Sequence, residues 1–201
     1  MNPKALFNIT YGLYWLSVRS YGQDNACIIN TAVQVASDPL TVSISLNKAN
    51  KTHDMIMESG RFNVSALTVD TPFELFQRFG MQSGRDVNKF IGFDDVERTQ
   101  NGMYVLKRYA NAYLSLRLLR TVDLGSHTLF IAALEDAQVL SDRPCCTYGY
   151  YQSDIKPKPQ QPKKKGWICS VCGHVYEGEA LPEDYVCPLC RHGREDFRSI
   201  G

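Results

Sequence analysis

Residues 40–46, Leu-Thr-Val-Ser-Ile-Ser-Leu, alternate apolar and polar side chains without a break, which is the two-residue period of a strand with one buried face. Residues 62–67 alternate almost as strictly, and 12–17 and 128–133 are dense in aromatic and aliphatic side chains, so these segments are also predicted as strands. Helical signals between them are short. One covers 52–59 and is closed by Gly60; the other opens at Thr71-Pro-Phe-Glu, which reads as a threonine cap with proline at the first helical position and glutamate at the third. Many strands with few, short helices predict a mainly β chain, an antiparallel barrel with helical insertions. No GxGxxG follows a strand and no GxxxxGK[ST] occurs, so the usual sequence mark of a Rossmann or P-loop site is missing.

The alternation stops at 154–166, DIKPKPQQPKKKG, where Pro157, Pro159 and Pro162 stand among polar and basic residues. This reads as a linker of polyproline II character, about 3.1 Å per residue and so up to roughly 40 Å of reach. It divides the chain into 1–153, the linker 154–166, and 167–201. With 201 residues, 44% of them hydrophobic, the chain is long enough for one or two cores, which excludes disorder of the whole. A formal charge of +1 shows none of the basic excess of a nucleic-acid partner, and Lys163–Lys165 read as part of a solvated linker. The longest apolar run, 129–134, is far short of the roughly 20 residues that span a bilayer, and residues 1–16 mix polar side chains into the apolar ones without a small-residue cleavage site. The expected location is the cytoplasm, with no membrane and no nucleic acid involved.

Of seven cysteines, Cys169, Cys172, Cys187 and Cys190 crowd into the last segment, and in a cytosolic chain such crowding points to metal before disulfides. Cys169-Ser-Val-Cys172 and Cys187-Pro-Leu-Cys190 form a CxxC…CxxC pair whose thiolates make a tetrahedral cage for Zn²⁺ or for a single iron. Spacing alone leaves both open, and zinc would make the module a structural ribbon. The flanks add Trp167, Gly173, Tyr176, Leu181-Pro-Glu-Asp-Tyr185, Pro188 and Phe197. With them the segment resembles rubredoxin, in the shortened form found at the end of rubrerythrin-type proteins. The resemblance implies one iron on four cysteines, cycling between ferric and ferrous, with the aromatics keeping water away. Gly173 permits a positive φ that turns backbone N–H groups toward sulfur. Arg191 stands where rubredoxins usually have glycine, at a cost on the order of 1 kcal/mol.

Residues 11–18 (YGLYWLSV), 25–31 (NACIINT), 37–39 (SDP), 47–53 (NKANKTH), 88–90 (NKF) and 125–127 (GSH) together resemble the flavin reductase-like, FMN-binding split-barrel family. Residues 30–34 (NTAVQ) and 79–86 (FGMQSGRD) are similar to the branch fused to rubredoxin in anaerobic bacteria. The resemblance implies that Asn25, Asn30, Thr31 and Gln34 approach the flavin ring and ribityl chain, Lys48 and Thr52 the phosphate, and Lys89 the flavin. It places His127 at the ring's reactive face, as the candidate catalytic residue, and lets Tyr150 or Tyr151 stack nearby. Where relatives often have aspartate before this histidine, this chain has Ser126, so a contact role suits His127 better than an acid role. Read as residues alone, Asn47, Lys48, Asn50, Lys51 and Thr52 suit a phosphate, but without the resemblance an ordinary strand-to-helix turn with Thr52 as N-cap is the preferred account. Cys27 is expected to be a small buried hydrophobe.

A hydride from NAD(P)H carries two electrons whereas a Cys₄ iron takes one, so a carrier that stores two and releases singles must stand between them, and FMN is such a carrier. The expected activity is an electron-transfer oxidoreductase that passes electrons from NAD(P)H through FMN to the iron and on to a partner. Resemblance to the fused branch implies a flavo-diiron protein reducing O₂ or NO as that partner, and a homodimer. Two other readings are a flavin reductase that releases reduced FMN, and a flavin-binding barrel with a structural zinc ribbon.

Overall fold

A computed structural model describes residues 1–157 and 166–200. The predicted strands form, and the stretches between them supply more: β1 (Tyr14–Ser20), β2 (Gln23–Ile29), β3 (Val33–Ser37), β4 (Leu40–Asn47), then α1 (Lys51–Ser59), β5 (Arg61–Leu67) and α2 (Phe73–Gly80). The short β6 (Val96–Arg98) and β7 (Tyr104–Leu106) pair with each other, and β8 (Ala110–Asp123) and β9 (His127–Val139) make a long hairpin. Seven strands form one antiparallel sheet in the order β2-β1-β5-β8-β9-β4-β3. Residues from both sides of that order meet in one core, Leu16, Val18 and Cys27 with Val42, Ile44, Leu46 and Phe130, and Met55 and Ile56 of α1 plug it. The sheet is thus curled into the split barrel that the alternation predicts.

β1 is buried on both faces, which explains its dense apolar run. Leu16 and Val18 point into the barrel, while Trp15 packs in a second cluster with Leu67, Phe76, Phe79 and Leu106 under α2. Cys27 is buried as expected, and burial pushes its thiol pKa up.

Both predicted helix caps are corrected. Asn50, in extended conformation, caps α1 by accepting from Thr52 N at 3.0 Å, and Thr52 lies buried in the first turn. Before α2 the cap position is Pro72 without a side-chain bond, because the Thr71 hydroxyl is turned to Thr68 O at 2.7 Å, closing the turn before the helix. Gly60 does end α1, with φ 67° and its N–H on Ile56 O.

After β9 a short α3 (Tyr148–Tyr150) runs into a π-helical turn (Tyr151–Ile155), so the helical backbone carries into the first residues of the expected linker. The rest of that linker, 158–165, lies outside the described residues. The chain resumes at β10 (Gly166–Cys169), which sits between β11 (Val175–Tyr176) and β12 (Phe197–Ile200). At Gly166 a Cβ would stand 2.6 Å from Tyr176 O, so only glycine admits this strand approach. Among the described residues no helix is long and apolar enough to cross a membrane.

Candidate functional site

Cys169, Cys172, Cys187 and Cys190 are all buried, and their sulfurs lie within 4.8 Å of one another. Cys169 Sγ is 3.6 Å from Cys190 Sγ, and Cys172 Sγ is 3.5 Å from Cys187 Sγ. Four sulfurs at about 2.3 Å from a central ion form a tetrahedron with edges of about 3.8 Å, so the cage fits one tetrahedral metal ion. Burial pushes the Cys172 thiol up to about 11 and raises Cys190 as well. A cation at the centre is what makes four thiolates compatible in so small a volume.

The two knuckles repeat each other. Gly173 N donates to Cys169 O and Arg191 N to Cys187 O, each at 2.9 Å, while Cys169 N donates to His174 O and Cys187 N to His192 O, each at 2.8 Å. Positive φ at Gly173 (80°) and at Arg191 (64°) turns the His174 and His192 amides toward Cys172 and Cys190. Arginine therefore adopts the conformation that glycine takes in the first knuckle, with the second set of amide contacts kept. Opposite substitutions should then have opposite signs. Gly173→Ala is expected to destabilise the module by about 1–2 kcal/mol, and Arg191→Gly to stabilise it by about 0.5 kcal/mol, the relief of strain being partly offset by the freer unfolded chain. Denaturant midpoints of the metal-loaded variants check both.

On the barrel, most of the sequence-predicted residues fall into three groups, and Thr31, Gln34 and Lys89 lie outside them. In the first, Asn25 Nδ2 donates to Thr52 Oγ1 at 2.9 Å in the buried first turn of α1, beside the Asn50 cap. In the second, Asn47 lies opposite His127 in the β4–β9 ladder. Lys48 Nζ meets both oxygens of Asp123 at 2.7 and 2.8 Å, and Lys48 N donates to Ser126 O. Ser126 Oγ lies 2.9 Å from His127 Nδ1, so the serine before the histidine contacts its imidazole. Lys48 stands before the start of α1, but its charge is taken up by Asp123, so an anion bound there would have to displace that carboxylate. Asp123 was not singled out in the sequence, although Asp-Leu-Gly between two apolar runs is a turn signal; its carboxylate also accepts from Gly125 N, and the Lys48 bond leads in holding its pKa low.

The third group lines a cleft of about 300 Å³ between barrel and metal module. Asn30 and Tyr151 stand there with Ile28, Ile29, Met81 and Val171, while Phe76 packs on the Tyr151 ring at 4.5 Å. Burial, then the charges of Tyr148 and Cys172, push the Tyr151 phenol up to about 12. Thr31 Oγ1 is bonded to the backbone of Ser45 on β4, and Gln34 bonds Ala36 O on the exposed β3. Lys89 is placed differently from the others. Its ammonium is buried and donates to Ala26 O at 3.0 Å and Phe79 O at 3.1 Å, tying β2 to α2.

Residues 6–158 match the flavin reductase like domain and residues 167–198 the rubrerythrin, rubredoxin-like domain. The chain is 34% identical to the high molecular weight rubredoxin of Moorella thermoacetica over the whole of both proteins. It is 36% identical to a ferric-chelate reductase (NAD(P)H) of Archaeoglobus fulgidus, covering 79% of this chain and 93% of the relative. Among solved structures, an NADH:FAD oxidoreductase of Streptomyces globisporus superimposes with a TM-score of 0.65 at 19% identity, over 72% of this chain and 84% of that one.

Proposed function

The chain belongs to the flavin reductase-like family and carries a rubredoxin-like domain behind its barrel, and from that premise we propose that it is an oxidoreductase passing electrons from NAD(P)H, by way of FMN, to a Cys₄ iron and on to a redox partner. The observation that carries this reading is the cage of four buried sulfurs packed against the barrel of the same polypeptide. In sum, one NAD(P)H and two oxidised one-electron acceptors give NAD(P)⁺, a proton and two reduced acceptors. Bound FMN supplies the conversion between the hydride pair and single electrons, and iron the one-electron step.

The chain's own residues bind and orient. Lys48, on exchanging its Asp123 partner, and the α1 start offer positive charge and donors to a phosphate; Asn47, Asn50, Thr52 and Asn25 supply short polar side chains beside them. Asn30 and Tyr151 line the cleft at the ring end, Thr31 and Gln34 flank it from the β2–β3 turn and β3, and His127, opposite Asn47 in the β4–β9 ladder, stands with the phosphate-end residues. Lys89 supports this face from inside. Exposed Val33 and Val35 on β3 and Leu119, Val122 and Leu124 on the β8–β9 arm support a homodimer through that edge. Seven cysteines without a disulfide suit the cytoplasm. The resemblance to the fused branch favours a flavo-diiron protein as the acceptor.

The test is an anaerobic visible spectrum with metal analysis, before and after NADH. Iron–thiolate absorption superposed on flavin bands, both bleaching, is the expected result. Zinc without a metal band refutes the relay in favour of a structural ribbon, and FMN lost on gel filtration favours release of reduced flavin.

A further inference from the structure

The metal module touches the barrel through its two metal-binding loops. Leu189, between Cys187 and Cys190, offers its carbonyl to Gln77 Nε2 on α2. Val171, between Cys169 and Cys172, lines the cleft that Asn30 and Tyr151 also line. Met81, just after α2, packs directly against the cluster of the four cysteines. Val171 and Leu189 are half-buried in this arrangement, whereas Val186 and Pro188, beside the second knuckle, are exposed. A linker alone would bring the module near the barrel in any orientation. Here both sulfur-bearing loops are turned to α2, at the edge of the cleft where the ring end of the flavin face is proposed.

We infer that this docked arrangement is the one in which electrons cross: the iron is loaded by the flavin face of its own chain, across the cleft between Asn30 and the Val171 knuckle, and Gln77 with Met81 latches it there. The inference rests on the flavin-to-iron reading above and adds the route and the latch. Each crossing reduces one ferric centre to ferrous. Two crossings, separated by reoxidation of the iron by the one-electron acceptor, drain the electron pair of one hydride, whose proton leaves to solvent. Tunnelling decays exponentially with separation, so a latch that keeps the knuckle at the cleft sets the rate.

Gln77→Glu removes the donor to Leu189 O and sets a carboxylate against it; Gln77→Lys keeps a donor. In the full chain loaded with iron and FMN, stopped-flow mixing with NADH should show iron bleaching in Gln77→Glu slowed by about ten- to a hundredfold with flavin bleaching unchanged, and near-wild-type rates in Gln77→Lys. Hydrogen exchange should rise in the α2 and knuckle peptides of Gln77→Glu only. Unchanged exchange, or fast iron bleaching despite raised exchange, overturns the inference. Mixed dimers of Gln77→Glu and Cys172→Ser chains separate the routes. If loading is within the chain they stay slow, whereas recovery of the fast phase shows loading by the partner and refutes it. If the flavin of the wild type bleaches and its iron never does, the relay itself fails while hydrogen exchange still reports the latch.

Discussion

Cys172→Ser is expected to abolish metal binding and electron delivery to a one-electron protein acceptor, while NAD(P)H-dependent bleaching of the flavin persists. The module's buried cluster consists of Leu181, Phe197 and the four cysteines themselves, so the metal bonds take the place of an apolar core. Structural metal sites of this kind contribute about 10–16 kcal/mol, far more than a segment of this size gains by burying side chains. Loss of one thiolate should therefore melt the module and leave the barrel, which has two cores of its own. Metal analysis, thermal melts and the two assays together decide it. Undiminished turnover with the protein acceptor in the metal-free variant would mean that electrons leave from the barrel, and the relay would be wrong.

Lys89→Met is expected to destabilise the barrel by about 2–4 kcal/mol, because the carbonyls of Ala26 and Phe79 lose their donor inside the protein. The melting temperature should fall by roughly 5–15 °C. The pH dependence identifies the cause. Burial lowers the Lys89 pKa from the ordinary 10.5, with the Cys27 charge opposing it. Between the folded value and the unfolded one the unfolded chain binds more protons, so wild-type stability rises with pH through that window and levels off above the ordinary value of 10.5. Lys89→Met should lack this rise. Denaturant melts of both proteins across the alkaline range measure it. FMN affinity measured on the folded variant tests the contact implied by resemblance: an unchanged Kd leaves Lys89 as an internal staple and nothing more.

The metal ligands were legible because thiolate chemistry ties four residues to a fixed spacing. Strands with regular alternation, β4 and β5, were legible for the same kind of reason. β2 was not, since it opens on Gln23-Asp24-Asn25 and reads as a loop until β1 pairs with it. The caps misled because Thr71 and Thr52 satisfy the local rule in sequence, whereas burial sends their hydroxyls to Thr68 O and Asn25. Ion pairs such as Lys48 with Asp123 join residues far apart in the chain, and no local pattern announces them. Gln77 and Met81 read as ordinary residues of and just beyond an amphipathic helix. Only the second domain resting on them gives them meaning.

With both knuckles turned to α2, the barrel covers the Val171 and Leu189 side of the cage, while Val186 and Pro188 leave another side open to solvent. Under the proposed relay, an acceptor that uses the covered face must wait for the module to lift off, whereas one that docks beside Val186 and Pro188 need not. The two cases differ in how turnover depends on acceptor: in the first, the opening of the covered face sets a ceiling at saturating acceptor, and in the second it sets none.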